Sequence, residues 1–203
     1  YIAWRVSEGD VLYRDIFYLH GPLSTYLHAI LFRLFGPGIM VLAVFNLFLA
    51  AWLTGLIYSM FLKFSDKLTA TVAGMAFLTV FAFAHYGWSG NFNFICPYTY
   101  ELTQGVFLSF LALHQLGGYL RDGRDAKLNI SGVLTGLVVL TKIEVFLALV
   151  VAQCAGWIGI YATGRLPFPA FLKKLGRFAA LFCLPSVLFM FYFFQHMPPG
   201  KAV

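Results

Sequence analysis

Apolar runs of about twenty residues, recurring along the chain and separated by short charged stretches, constrain this fold more than any other feature. A hydrocarbon core about 30 Å thick is crossed by roughly 20 helical residues rising 1.5 Å each, and a helix satisfies its own backbone polar groups in lipid. The first run extends from about Ile39 to Leu62, the second from Leu68 to Tyr86 and the third from Leu102 to Leu120. Between Leu128 and Ala162 the pattern is interrupted by "TKIE", Thr141–Glu144, which predicts a short span, a turn and a longer span from Val145. A last span is expected from Phe178 to His196, with a kink at Pro185. The fold class that follows is all-α: a polytopic helical membrane protein of about six transmembrane helices.

Composition agrees. Hydrophobic residues make up 61% of the chain and charged residues 11%, where soluble domains carry about a quarter charged. The formal charge of +6 does not point to nucleic acid, because Lys and Arg stand in short clusters between apolar runs rather than along one face. Six spans with short loops alternate sides, and one set of loops holds Lys63, Lys67, Arg121, Arg124, Lys127, Arg165, Lys173, Lys174 and Arg177. By the positive-inside rule that set is cytoplasmic. The other set faces the periplasm or an equivalent exterior: the opening segment, the loop Gly87–Glu101, the "TKIE" turn and the tail after Met197.

Soluble-enzyme signals are missing from the sequence. No GxSxG, P-loop or Rossmann glycine pattern occurs, and Gly105, Gly117, Gly118, Gly132 and Gly136 read as helix-packing positions. Cys96, Cys154 and Cys183 stand far apart without CxxC spacing, and the five histidines form no HxxxH or HxH pair. Neither a metal site nor a cofactor is expected.

Charge gathers instead in "EGDVLYRDIFYLHGPLSTYLHAILFRLFG", Glu8–Gly36. Arg14 and Asp15 suit either a weak pair in a surface loop or charge held at the membrane by the amphipathic rings of Tyr13, Phe17 and Tyr18. Leu23, Leu27, Ile30 and Leu34 then repeat at helical spacing over about fourteen residues, too few to span, so an interfacial helix is expected. The chain starts at Tyr1 without an initiator Met and is read as an internal fragment. Residues 1–38 are then an exterior loop with its juxtamembrane helix, 39–197 the transmembrane bundle and 198–203 the start of a further exterior loop.

Two other exterior stretches carry chemistry. "NFNFICPYTYELTQG" sets Tyr98, Tyr100 and Glu101 at the mouth of a span, where rings and a carboxylate suit either sugar recognition or an aromatic belt with an acid at a helix N-terminus. In "LTKIE", Lys142 and Glu144 break a long apolar stretch, either as a snorkelling Lys with a surface partner or as a cation for a phosphate held at the bilayer edge.

The order of these features, the opening loop, a two-span hairpin, "FNFICPYTYELTQG" and "GLVVLTKIEVFLAL", resembles the GT-C membrane glycosyltransferases. It is most similar to the polyprenyl-phosphate-sugar branch of glycosyltransferase family 39, which includes protein mannosyltransferases and lipid A aminoarabinose transferases. Gly21, Pro22 and Leu23 match the element that opens the family's juxtamembrane helix, and Lys142 matches its "TK" element near the carrier phosphate. Glu101 takes the place of a second acidic residue that is usually Asp. The principal catalytic Asp is implied a few residues before Tyr1, leaving Arg14, Asp15, Tyr98, Tyr100, Lys142 and Glu144 as substrate-binding candidates. The resemblance implies transfer of a sugar from a polyprenyl-phosphate donor to a lipid, glycan or protein hydroxyl at the exterior face of the bacterial inner membrane. A transporter or flippase is the other reading that composition permits.

Overall fold

The computed structural model describes residues 1–84, 93–162, 164 and 167–197. The described chain is helical: α1 (Ile2–Glu8), α2 (Leu23–Phe35), α3 (Ile39–Phe61), α4 (Lys67–Ala76), α5 (Tyr100–Asp122), α6 (Asp125–Val139), α7 (Ile143–Ala162) and α8 (Phe168–His196). A π-helical turn, Phe77–Ala82, continues α4. Three helices, α3, α7 and α8, are long and apolar enough to cross a membrane. The others in the predicted series are shorter or more polar. α4 with its π-helical end runs Lys67–Ala82, α6 has 15 residues, and α5 carries Glu101, Arg121 and Asp122. The end of the second expected span at Tyr86, the loop residues 87–92, Arg165 and the tail from 198 lie outside the described residues.

Several boundaries differ from the sequence reading, and two of them have a plain local reason. α7 starts at Ile143, not Val145, because Glu144 is an acid in the first turn, where the helix dipole favours it. The turn between α6 and α7 is thereby reduced to Leu140, Thr141 and Lys142. α8 begins ten residues before Phe178, as Pro169 sits in its first turn, where no N–H is needed. Lys174 on this extension pairs with Asp125 of α6, and the helix continues through Pro185 to His196.

Side chains are sorted opposite to a water-soluble bundle. Val44, Phe48, Val151, Phe191 and Phe194 are exposed, whereas Asn46, Ser131, Thr135 and Gln153 are buried. The buried polar groups bond across helices: Gln153 Nε2 donates to Thr135 Oγ1 at 2.7 Å and Ser131 Oγ to the Ala112 carbonyl at 2.9 Å. Hydrogen bonds inside and hydrocarbon outside suit a bundle dissolved in lipid.

α5 is the shared neighbour, packing on α3, α6, α7 and α2, while α6 packs on α8. The α6–α8 contact depends on the lack of a side chain. A Cβ at Gly136 would lie 2.2 Å from the Phe182 carbonyl oxygen and 2.9 Å from Pro185 Cδ. Gly132 meets Phe178 similarly and Gly105 meets Thr141, but nothing lies within 4 Å of a Cβ at Gly117, so that position is not a packing contact.

Candidate functional site

α2 is amphipathic with its faces reversed relative to a helix on a soluble core. Ser24, Thr25 and His28 face the protein, and Ile30, Leu34 and Phe35 are exposed. On that polar face His28 meets a partner on α5. The Gln104 amide Nε2 lies 2.7 Å from His28 Nε2, so the amide donates and the ring accepts. The His28 ring stands edge-on to Tyr100 at 4.7 Å and to Phe45 at 6.1 Å. Burial pushes the imidazole down to about 4, so it is neutral near pH 7.

The start of α2 is fixed to the α6–α7 turn by backbone pairing. Gly21 N–H donates to the Thr141 carbonyl at 2.9 Å and Leu23 N–H to the Leu140 carbonyl at 3.0 Å. Only glycine allows this approach, since a Cβ at Gly21 would fall 2.1 Å from the Leu140 oxygen. Thr141, fully buried, rests against Gly105 of α5. The "GPL" element, the "TK" turn and the first turns of α5 therefore meet at one end of the bundle.

Glu101 stands at that meeting point, 6% exposed in the first turn of α5 and ahead of the apolar stretch beginning at Leu102. The Tyr18 hydroxyl of the opening loop donates to its Oε1. Burial pushes the carboxyl up, and its own backbone N–H and the positive charge of Lys142 oppose that shift. One helical turn deeper, Gln104 Oε1 and Ser24 Oγ are buried without a hydrogen-bond partner. A buried carboxyl capped by a phenol, a half-buried ammonium within reach of its field and unspent polar atoms beneath can accept a proton and hold an anion. Among the described residues no group of three His, Cys, Asp or Glu side chains converges to hold a metal.

The remaining candidates lie apart from this cluster. Arg14 and Asp15 pair with each other at 2.7 Å, and Asp15 also accepts the Val11 N–H at 2.8 Å. The Arg14 guanidinium, followed by the Val11 amide, holds the Asp15 carboxyl down to about 2. Arg14 Nη1 donates to the His196 carbonyl at 2.9 Å, so the pair ties the opening loop to the end of α8. Tyr98 is 94% exposed, and Glu144 is exposed on the first turn of α7. Of the expected site residues, Tyr100, Glu101 and Lys142 come together; Arg14, Asp15, Tyr98 and Glu144 do not join them.

Tyr18, His28 and Gln104 complete the cluster and were not candidates from the sequence. A partial signal exists: Glu101 and Gln104 are three apart and share a helix face, and His28 lies on the polar side of α2. Comparison with protein-family models, curated proteins and solved structures returns no match for this chain.

Proposed function

We propose that this chain belongs to a membrane glycosyltransferase that moves a sugar from a polyprenyl-phosphate donor to a hydroxyl of a lipid, glycan or protein. The observation that carries the reading is the buried Glu101 carboxyl, bonded to Tyr18 and within the field of Lys142, where three segments distant in sequence meet. In the reaction the acceptor oxygen forms a bond to the anomeric carbon, and the bond from that carbon to the phosphate oxygen breaks. The polyprenyl phosphate leaves with the electron pair. The hydroxyl proton passes to a carboxylate, and Glu101 is the candidate that this chain supplies. Lys142 stabilises the charge that grows on the leaving phosphate. No cofactor takes part.

The proposed topology uses six spans, α4, α5 and α6 crossing together with the three longer helices. Burial of polar groups of α6 against its neighbours, as at Ser131 and Thr135, supports this reading. The Glu101 end faces the periplasm of a bacterial inner membrane, because the basic residues Lys63, Arg121, Arg124 and Lys127 belong to the other end.

The test is reconstitution in liposomes with a radiolabelled polyprenyl-phosphate sugar and hydroxyl acceptors. Label is expected to leave the carrier for an acceptor, with one polyprenyl phosphate released per sugar. Label that crosses the bilayer still attached to its carrier would establish a transporter instead. The charged groups at helix ends, away from a midplane site, favour transfer over transport.

A further inference from the structure

Glu101 and Arg121 are twenty residues apart on α5, so the ends of that helix are separated by about 30 Å, the thickness of a hydrocarbon core. The Arg121 end holds a second charged cluster with no place in sugar transfer. Lys63 follows the C-terminus of α3 and donates its ammonium to His114 Nε2 on α5. An ammonium only donates, so the imidazole is the acceptor and its proton sits on Nδ1, which is buried without a partner. Arg121, in the last turn of α5, stands two helical turns beyond His114 on the same face, and its charge and that of Lys127, in the first turn of α6, both act on Lys63. Lys127 reaches this corner because residue 118 is glycine: a Cβ there would lie 2.8 Å from Lys127 Cδ and 3.2 Å from its Nζ.

The acids nearby are committed. Asp122 accepts Lys127 at 2.5 Å and lies 3.7 Å from Arg124. Asp125 pairs with Lys174 and stands 4.0 Å from Arg177. Asp66 caps α4 through the Thr69 N–H at 2.8 Å. Among the described residues neither Lys63 nor Arg121 has an ion-pair partner. Burial and the charges of Arg121 and Lys127 push the Lys63 ammonium down, the mark of a cation crowded by cations. Phe61, Leu62 and Phe64 are exposed beside it, Phe64 at 85%.

We propose that Lys63 and Arg121, with the Asp122-paired Lys127 beside them, form a phosphate-binding corner, occupied by the headgroup of an anionic phospholipid whose acyl chains lie along the exposed apolar residues next to Lys63. A phosphate diester supplies the negative charge that Lys63 and Arg121 lack, and headgroup depth matches their place at the end of a bundle-long helix. A soluble phosphate would satisfy the same cations but not the apolar flank.

The test uses the full chain in phosphatidylcholine nanodiscs titrated with phosphatidylglycerol, with bound lipid counted by native mass spectrometry. Lys63→Gln and Arg121→Gln are each expected to weaken phosphatidylglycerol binding about tenfold, the loss of one charge-assisted hydrogen bond, and Lys63→Arg to retain it. Lys67→Gln and Lys173→Gln remove the same charge from the same end and are expected to change binding far less. A parallel titration of inorganic phosphate in phosphatidylcholine alone assigns the source. Cluster-dependent binding of free phosphate without phosphatidylglycerol selectivity keeps the corner but makes its ligand soluble. Equal losses in the cluster and control variants, or no selective binding of either probe, would overturn the proposal. Circular dichroism of every variant separates lost binding from lost fold.

Discussion

Replacing Gly21 with alanine tests whether the opening loop is docked on the α6–α7 turn as described. The new Cβ would lie 2.1 Å from the Leu140 oxygen and 2.2 Å from its carbonyl carbon, and both are backbone atoms that cannot rotate away. The loop must lift, which breaks the Gly21–Thr141 and Leu23–Leu140 hydrogen bonds of 2.9 and 3.0 Å. At about 0.5–1.5 kcal/mol net for each bond, the loss is about 1–3 kcal/mol. For a chain of this size that lowers the melting midpoint by about 2–12 °C. Lifting the loop also withdraws Tyr18 from Glu101, so sugar transfer should fall with stability. The assay is thermal unfolding in detergent followed by circular dichroism, with Gly38→Ala as control, since nothing lies within 4 Å of a Cβ there. A Gly21→Ala protein that melts with the parent would refute the docking.

Three further outcomes follow from the same geometry. His28 is neutral when folded and protonates near its ordinary 6.5 when unfolded, so the unfolded state binds more protons between about pH 6.5 and 4. Stability should therefore fall by about 3 kcal/mol as pH drops through that window, and a melting-temperature profile of His28→Gln should be flatter there. Tyr18→Phe leaves the buried Glu101 oxygen without its phenol, costing about 1–3 kcal/mol in the same melt and slowing transfer. Arg14→Ala should keep transfer within about twofold of the parent while speeding hydrogen exchange in the last turn of α8, because Arg14 holds the His196 carbonyl and does not reach Glu101.

Much of the architecture was legible because helix length and apolar period are local properties. The runs at Ile39 and Leu102 became α3 and α5 within two residues at each end. The start of α8 was not legible, since Lys173, Lys174 and Arg177 dilute the apolar pattern, and the compensation of Lys174 and Arg177 comes from Asp125 on another helix. The face of α2 was hidden for a related reason: its polar side is buried against α5, which only the assembled bundle supplies.

The candidate site divides the same way. Glu101 and Lys142 were recognisable as ionisable groups bordering apolar stretches, which is a local property of the sequence. The Tyr18–Glu101 and His28–Gln104 contacts join residues 83 and 76 positions apart, and no local pattern encodes them. Arg14 looked equally suited to a site and to a loop, and its bond to a carbonyl 182 residues away is likewise one that no local pattern encodes.

The most direct measurement is the steady-state rate of sugar transfer from a radiolabelled polyprenyl-phosphate donor by the purified protein, resolved into kcat and KM for Glu101→Gln and Lys142→Gln. A carboxylate acting on the acceptor proton predicts a kcat loss of about a hundredfold or more for Glu101→Gln, and a cation on the carrier phosphate predicts a raised donor KM for Lys142→Gln. Parental kcat and KM in both variants would contradict the assignment of this cluster as the working centre.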